Sequence, residues 1–122
     1  MASTAGLKGN GGGVAYVASK HGVVGLTQRA AVTYAKQGIT INSICPGPVE
    51  TELRIHSNEI LSREFEKTTR VGSDEEDRSS QSPVGRVGKP EDIAAAACYL
   101  ASRSAWYVNG LALSIDGGWA AM

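Results

Sequence analysis

The first 49 residues contain no aspartate or glutamate, although they carry Lys8, Lys20, Arg29 and Lys36. The acids are concentrated in residues 50–92, where eleven stand beside seven bases, and the 122-residue chain as a whole is formally neutral. A surplus of four positive charges at one end suits a small anionic ligand. It is too weak for a nucleic acid, and no basic stripe interleaved with aromatics supports one. No apolar run approaches the roughly 20 residues of a membrane helix. The first residues also lack the charged-then-apolar order of a secretion signal. We therefore expect neither a nucleic-acid nor a membrane partner, and a cytoplasmic location. Cysteine is scarce: Cys45 and Cys98 both sit in apolar segments and read as buried free thiols in a reducing compartment, not a disulfide. The two histidines, His21 and His56, lack the partner spacing of a metal site. There are no internal repeats, and the length allows one domain or less.

Residues 1–15 read as loop, because "GNGGG" holds a helix only at high entropic cost. Residues 16–37 read as a long helix stopped by Gly38. Its apolar residues form two stripes, Val23, Leu26, Ala30 and Tyr34 on one and Val24, Ala31 and Ala35 on the other. A helix apolar on two sides is expected to be covered on two sides. "ITINSIC" (39–45) is β-branched and reads as a buried strand that "PGP" terminates. Residues 50–82 are polar and charged, with "GSDEEDRSSQ" as the loosest stretch. A second helix begins at Pro90, with Glu91 and Asp92 at its positive end and Ile93, Ala96, Ala97 and Leu100 as its buried stripe. "GLALSIDGG" (110–118) alternates Leu111, Leu113 and Ile115 and reads as a closing strand. Strand, helix and strand in that order imply a parallel pair and an α/β fold.

The glycine run invites a phosphate-loop reading but does not satisfy one. Counting G-x-G-x-x-G/A from Gly9 ends on Val14, counting from Gly11 ends on Tyr16, and no strand precedes either. The chemistry lies just beyond it, in "YVASK". Tyr16 and Lys20 are one helical turn apart on one face. A phenol titrates near ~10, so it exchanges protons at neutral pH only with a cation close by, which Lys20 supplies. Tyr-x-x-x-Lys alone would arise by chance in about one chain in six of this composition, so the pair needs support from elsewhere.

That support comes from four further blocks. Ser3 stands thirteen residues before Tyr16, and "YVASKHGVVGLT", "GITINSICPGPVET", "GRVGKPEDIA" and "VNGLALSIDGG" follow in order. Together they resemble the carboxyl-terminal half of a short-chain dehydrogenase/reductase of the ketoacyl-carrier-protein-reductase and glucose-dehydrogenase type. The resemblance covers nearly all of the chain except 52–82. It implies the corresponding part of a Rossmann-type doubly wound parallel sheet. Its parts would be a catalytic helix at 16–37, a nicotinamide-side loop at 46–51, a variable substrate segment at 50–82, and a closing helix and strand at 90–118.

By that resemblance the reaction is hydride transfer between NAD or NADP and a small carbonyl or alcohol substrate. Tyr16 would be the acid or base. Lys20 would lower its pKa and hold the nicotinamide ribose, and Ser3 would hydrogen-bond the substrate oxygen. Pro46, Gly47 and Val49 would wall the nicotinamide, and Thr51 would bond its carboxamide or the pyrophosphate. Ser19 is expected to pack and His21 to make a surface or interface contact, while His56 falls in the variable segment, where facing substrate is its minority reading. The family's glycine fingerprint, its NAD-or-NADP selector and its active-site asparagine precede the serine and are not in these 122 residues. The chain alone is therefore expected to bind cofactor poorly and to need association, whereas the family is commonly homo-oligomeric. An inactive or partner-dependent chain is the alternative reading. Extended nucleotide-sugar epimerases share the Tyr–Lys pair but not "SICPGPVET" or "DGG".

Overall fold

The computed structural model describes residues 1–9, 11–52 and 82–122. Within them lie a 3₁₀ turn at Thr4–Gly6, helix α1 (Val14–Tyr34), strand β1 (Ser43–Pro46), helix α2 (Pro90–Ala101) and strand β2 (Ala112–Ile115). The strands run parallel, Ser43 opposite Ala112 and Pro46 opposite Ile115. A parallel pair needs a crossover, and α2 lies on it. The α/β expectation holds.

α1 starts at Val14, two residues earlier than expected. Gly13 is extended (φ −71°, ψ 165°) and is the last residue outside the helix. The far end matches: the helix tightens into a 3₁₀ turn over Ala35–Gln37, and Gly38 takes the left-handed conformation (φ 76°). Residues 1–15 are not wholly loop. The turn Thr4–Gly6 is buried, and the Ser3 hydroxyl caps it by accepting from the Ala5 amide at 3.2 Å.

β1 is shorter than the expected 39–45. Upstream of Ser43 the backbone is satisfied by side-chain amides: Ile41 N–H donates to Asn109 Oδ1 at 2.8 Å, and Leu111 N–H to Asn42 Oδ1 at 2.9 Å. β2 is likewise trimmed from 110–118, because Gly110, Gly117 and Gly118 all have positive φ and close it at both ends. At α2, Pro90 occupies the first turn, and the Asp92 carboxylate accepts the Lys89 amide at 2.8 Å while pairing with Arg86 at 2.7 and 3.1 Å. The Arg86 hydrogen bond and the Lys89 amide hold the Asp92 carboxyl down at about 2.

The core is small. Ala2, Val24 and Cys45 form its centre, with Val23 and Ala112 against them. Only one of the two expected stripes on α1 is covered, through Val24, Thr27 and Ala31. Leu26 is 70% and Tyr34 43% exposed. On α2 only Ile93 is buried, and Ala97 faces outward. Cys45 is fully buried as expected, but Cys98 is exposed, because it sits on the α2 face turned away from Ile93. Both thiols are free. No helix among the described residues is long and apolar enough to cross a membrane. The expected substrate segment 50–82, His56 included, lies outside the described residues except for residues 50–52 and Ser82.

Candidate active site

The Ser3 turn packs against both β1 and α1, and the β1 exit, Pro46 to Val49, leaves from the carboxyl ends of the strands. The Ser3 turn is attached to β1 from one side, where the Ala2 amide donates to the Ile44 carbonyl at 2.8 Å. From the other side it presses on α1. A Cβ on Gly6 would lie 2.6 Å from the Lys20 carbonyl oxygen, so only glycine lets the turn sit against the helical turn that carries Lys20. Ser3 is therefore held between the sheet and the Tyr16–Lys20 stretch.

Tyr16 and Lys20 meet as their spacing predicts. Lys20 Nζ lies 5.4 Å from the centre of the Tyr16 ring, within reach of its π face. Tyr16 remains 43% exposed, so its phenol is open to a reactant instead of being packed away. Its ring lies flush on Gly12, where a Cβ would fall 2.6 Å from Cδ1. The glycine run thus makes room for an aromatic ring beside it. Ser19 is exposed rather than packed, and its hydroxyl donates to the Tyr16 carbonyl at 2.7 Å. His21 is at the surface, with Nδ1 3.0 Å from the Val17 carbonyl.

Pro46 closes β1, and the Gly47 amide donates to the Ile115 carbonyl at 3.0 Å, which extends the pairing by one step. A Cβ on Gly47 would stand 2.6 Å from Asp116 Cβ. Its close approach is to Asp116. Val49 bridges in parallel to Gly88, and Thr51 is exposed beyond it. Pro46, Gly47 and Val49 are half-buried along one short exit path, while Thr51 is exposed.

Two nearby groups were not on the expected list of site residues or were placed there only loosely. Burial pushes the Cys45 thiol up, against smaller opposing contributions from Ser43, the Ser3 backbone and the amino terminus. Asp116 organises the chain after β2: it accepts from Ser114 Oγ at 2.6 Å, Gly118 N at 3.0 Å and Ala120 N at 2.9 Å. Partial burial raises its carboxyl, but the Ser114, Ala120 and Gly118 hydrogen bonds and the Lys8 charge together carry it below the ordinary carboxylate value. The signal was available in "DGG", since an aspartate before two glycines can gather the amides of its own turn. Both glycines have positive φ, and a Cβ on Gly117 would meet Val84 Cγ2 at 2.5 Å. An open groove of about 730 Å³, lined by Gly38, Ile39, Leu100, Trp106, Tyr107 and Asn109 among others, lies at the other end of the strands and contains none of the expected site residues.

The sequence and the fold resemble known proteins. A family model described as enoyl-(acyl carrier protein) reductase matches residues 1–120. The 3beta-hydroxysteroid dehydrogenase 2 of Eggerthella lenta is 42% identical over 120 residues, covering 98% of this chain and 43% of that protein. Among solved structures, ElxO with NADP bound superposes with a TM-score of 0.79 at 35% identity, covering 99% of this chain and 45% of that one. A 4-hydroxyisoleucine dehydrogenase complexed with NADH gives 0.75 at 35%, covering 99% and 44%. The chain spans less than half the length of these relatives.

Proposed function

Since the chain belongs to the short-chain dehydrogenase/reductase family, we propose that it carries the acid–base part of an oxidoreductase site acting on a small carbonyl or alcohol with NAD or NADP. The observation that supports this most is the open Tyr16 phenol with the Lys20 ammonium 5.4 Å from its ring, beside the pinned Ser3 turn. The residues present suit the nicotinamide end of such a cofactor: an exposed phenol–cation pair next to the half-buried exit Pro46, Gly47 and Val49. When bound, the nicotinamide supplies or accepts the hydride.

The chain's own residues handle the proton and the orientation. In reduction, Tyr16 Oη gives its proton to the carbonyl oxygen as that oxygen gains charge; in oxidation it takes the hydroxyl proton. Lys20 stabilises the phenolate so formed and holds the ribose hydroxyls. Ser3 Oγ orients the substrate oxygen and helps disperse its charge. Pro46, Gly47 and Val49 would wall the nicotinamide and exclude water, and Thr51 would bond the carboxamide or the pyrophosphate.

The test is Tyr16→Phe, assayed with both cofactors on a panel of ketones and alcohols. We expect turnover to fall by ~10²–10⁴, with cofactor binding within about twofold, because only the phenolic proton is removed. Retention of more than about a tenth of the rate overturns the assignment. Lys20→Met should impair both steps and shift the pH–rate profile. A second reading, a non-catalytic chain that works docked to a second copy or a partner, is favoured by the apolar residues that α1 leaves outside: Val14 at 88%, Leu26 at 70% and Val32 at 72% exposed. Absence of cofactor binding and turnover in the unmutated chain, with association in sedimentation, selects it.

A further inference from the structure

α1 carries the candidate acid at its amino end, yet nothing inside the helix fixes that end. Its cap is Gly13, which has no side chain to offer, and its first turn holds no acidic residue to answer the helix dipole. The residues leading into it are glycines at 9, 11, 12 and 13, the type with most backbone freedom to lose on ordering. A catalytic group on such a lead-in drifts unless something outside the helix holds it.

The carboxyl-terminal turn is positioned to do so. Asp116 gathers the Gly118 and Ala120 amides, and its carbonyl accepts from Trp119 N at 3.3 Å, which folds Trp119–Ala121 into a 3₁₀ turn. That turn places Trp119 on the glycine lead-in, its Cη2 3.7 Å from where a Gly11 Cβ would be. Four residues earlier than Gly12, Lys8 reaches across: its Nζ donates to the Met122 main-chain carbonyl. The lead-in is thus held at Lys8, before its first glycine, and at Gly11, just before the glycine that bears the Tyr16 ring.

We propose that Lys8, Asp116 and Trp119 form a clasp that closes the carboxyl-terminal turn onto the glycine lead-in and sets the position of Tyr16. They are positioning residues, and their importance for turnover rests on the Tyr16 reading above. The clasp itself does not.

The experiment is hydrogen exchange of the full chain and of Lys8→Met, Lys8→Arg and Asp116→Asn. In Lys8→Met the Val17 amide, bonded to the Gly13 carbonyl at 3.0 Å, should exchange about tenfold faster, while amides near Thr27 and Ala31 change less than about twofold. Lys8→Arg, which keeps the charge and the reach, should restore protection. Asp116→Asn, which keeps the shape but weakens the acceptor, should fall between. Unchanged exchange at Val17 in Lys8→Met overturns the clasp, as does failure of Lys8→Arg to rescue it. Faster exchange at both ends of α1 would mean general destabilisation and would overturn it too. In a turnover assay Lys8→Met should lower kcat with the cofactor KM unchanged. If Tyr16→Phe keeps its rate, the catalytic reading fails while the exchange result still decides the clasp.

Discussion

At the amino ends of β1 and β2 the chain is held by two asparagines, whereas at the carboxyl ends it is held by glycines and one aspartate. Asn109 accepts from Ile41 N and donates to the Ala31 carbonyl at 3.1 Å; Asn42 accepts from Leu111 N and donates to the Val108 carbonyl at 2.8 Å. Each amide uses a donor and an acceptor to tie the strand entries to each other and to α1. At the other end Gly6, Gly12 and Gly47 allow backbone to approach Lys20, Tyr16 and Asp116 more closely than any side chain permits. Ligands of open parallel sheets sit beyond the carboxyl ends of strands, and the two ends differ in how they are tied: the entries by side-chain amides, the carboxyl ends by close approaches that only glycine allows.

The comparison is tested hardest at Gly47. Gly47→Ala places a methyl 2.6 Å from Asp116 Cβ and 2.9 Å from its Cα, which forces β1 and β2 apart where the site lies. Overpacking of this kind costs about 1–3 kcal/mol. Cofactor binding should suffer as well, read by urea denaturation and by titration with both cofactors. Asn109→Ala comes next, at about 1–2 kcal/mol for the two hydrogen bonds it loses. Here turnover per folded molecule should be unaffected. A site loss equal to that of Gly47→Ala would erase the distinction between the two ends. The smallest effect concerns acid. The folded Asp92 carboxyl titrates at about 2 against an ordinary 3.8, so its contribution is complete above the ordinary value and is lost as pH falls from about 4 to 2. Asp92 is exposed and its pair with Arg86 is screened, so the drop in Tm over that window should be slight, and Asp92→Asn should remove that part of it.

Much of this was legible in the sequence, for physical reasons that differ along the chain. α1 and its stop at Gly38, the start of α2 at Pro90 and the parallel pair follow from local rules of propensity and capping. The Tyr16–Lys20 contact follows from helical geometry alone. What local rules could not supply was which apolar stripe would be covered: Leu26 and Val24 look alike in the sequence, and only tertiary packing separates them. The exposure of Cys98 has the same origin. The strands were overextended because Asn42 and Asn109 compete for backbone groups that pattern reading assigns to the sheet. Gly12 and Asp116 were read as loop and strand end, since a close approach becomes visible only when both partners are placed.

The bridge between Val49 and Gly88 has a consequence of another kind. With Glu50 N donating to the Gly88 carbonyl at 2.9 Å and Gly88 N to the Pro48 carbonyl at 3.0 Å, the two feet of the intervening stretch are stitched together. Gly117, by receiving Val84, secures the return foot a second time. With its feet joined in this way, the sequence between them can change without breaking these hydrogen bonds. Lengthening a closed loop is also cheap, at about 0.6 kcal/mol per doubling. Evolution, or an engineer, can therefore exchange that stretch as a cassette, and on the function proposed above the Tyr16–Lys20 pair would be carried over unchanged.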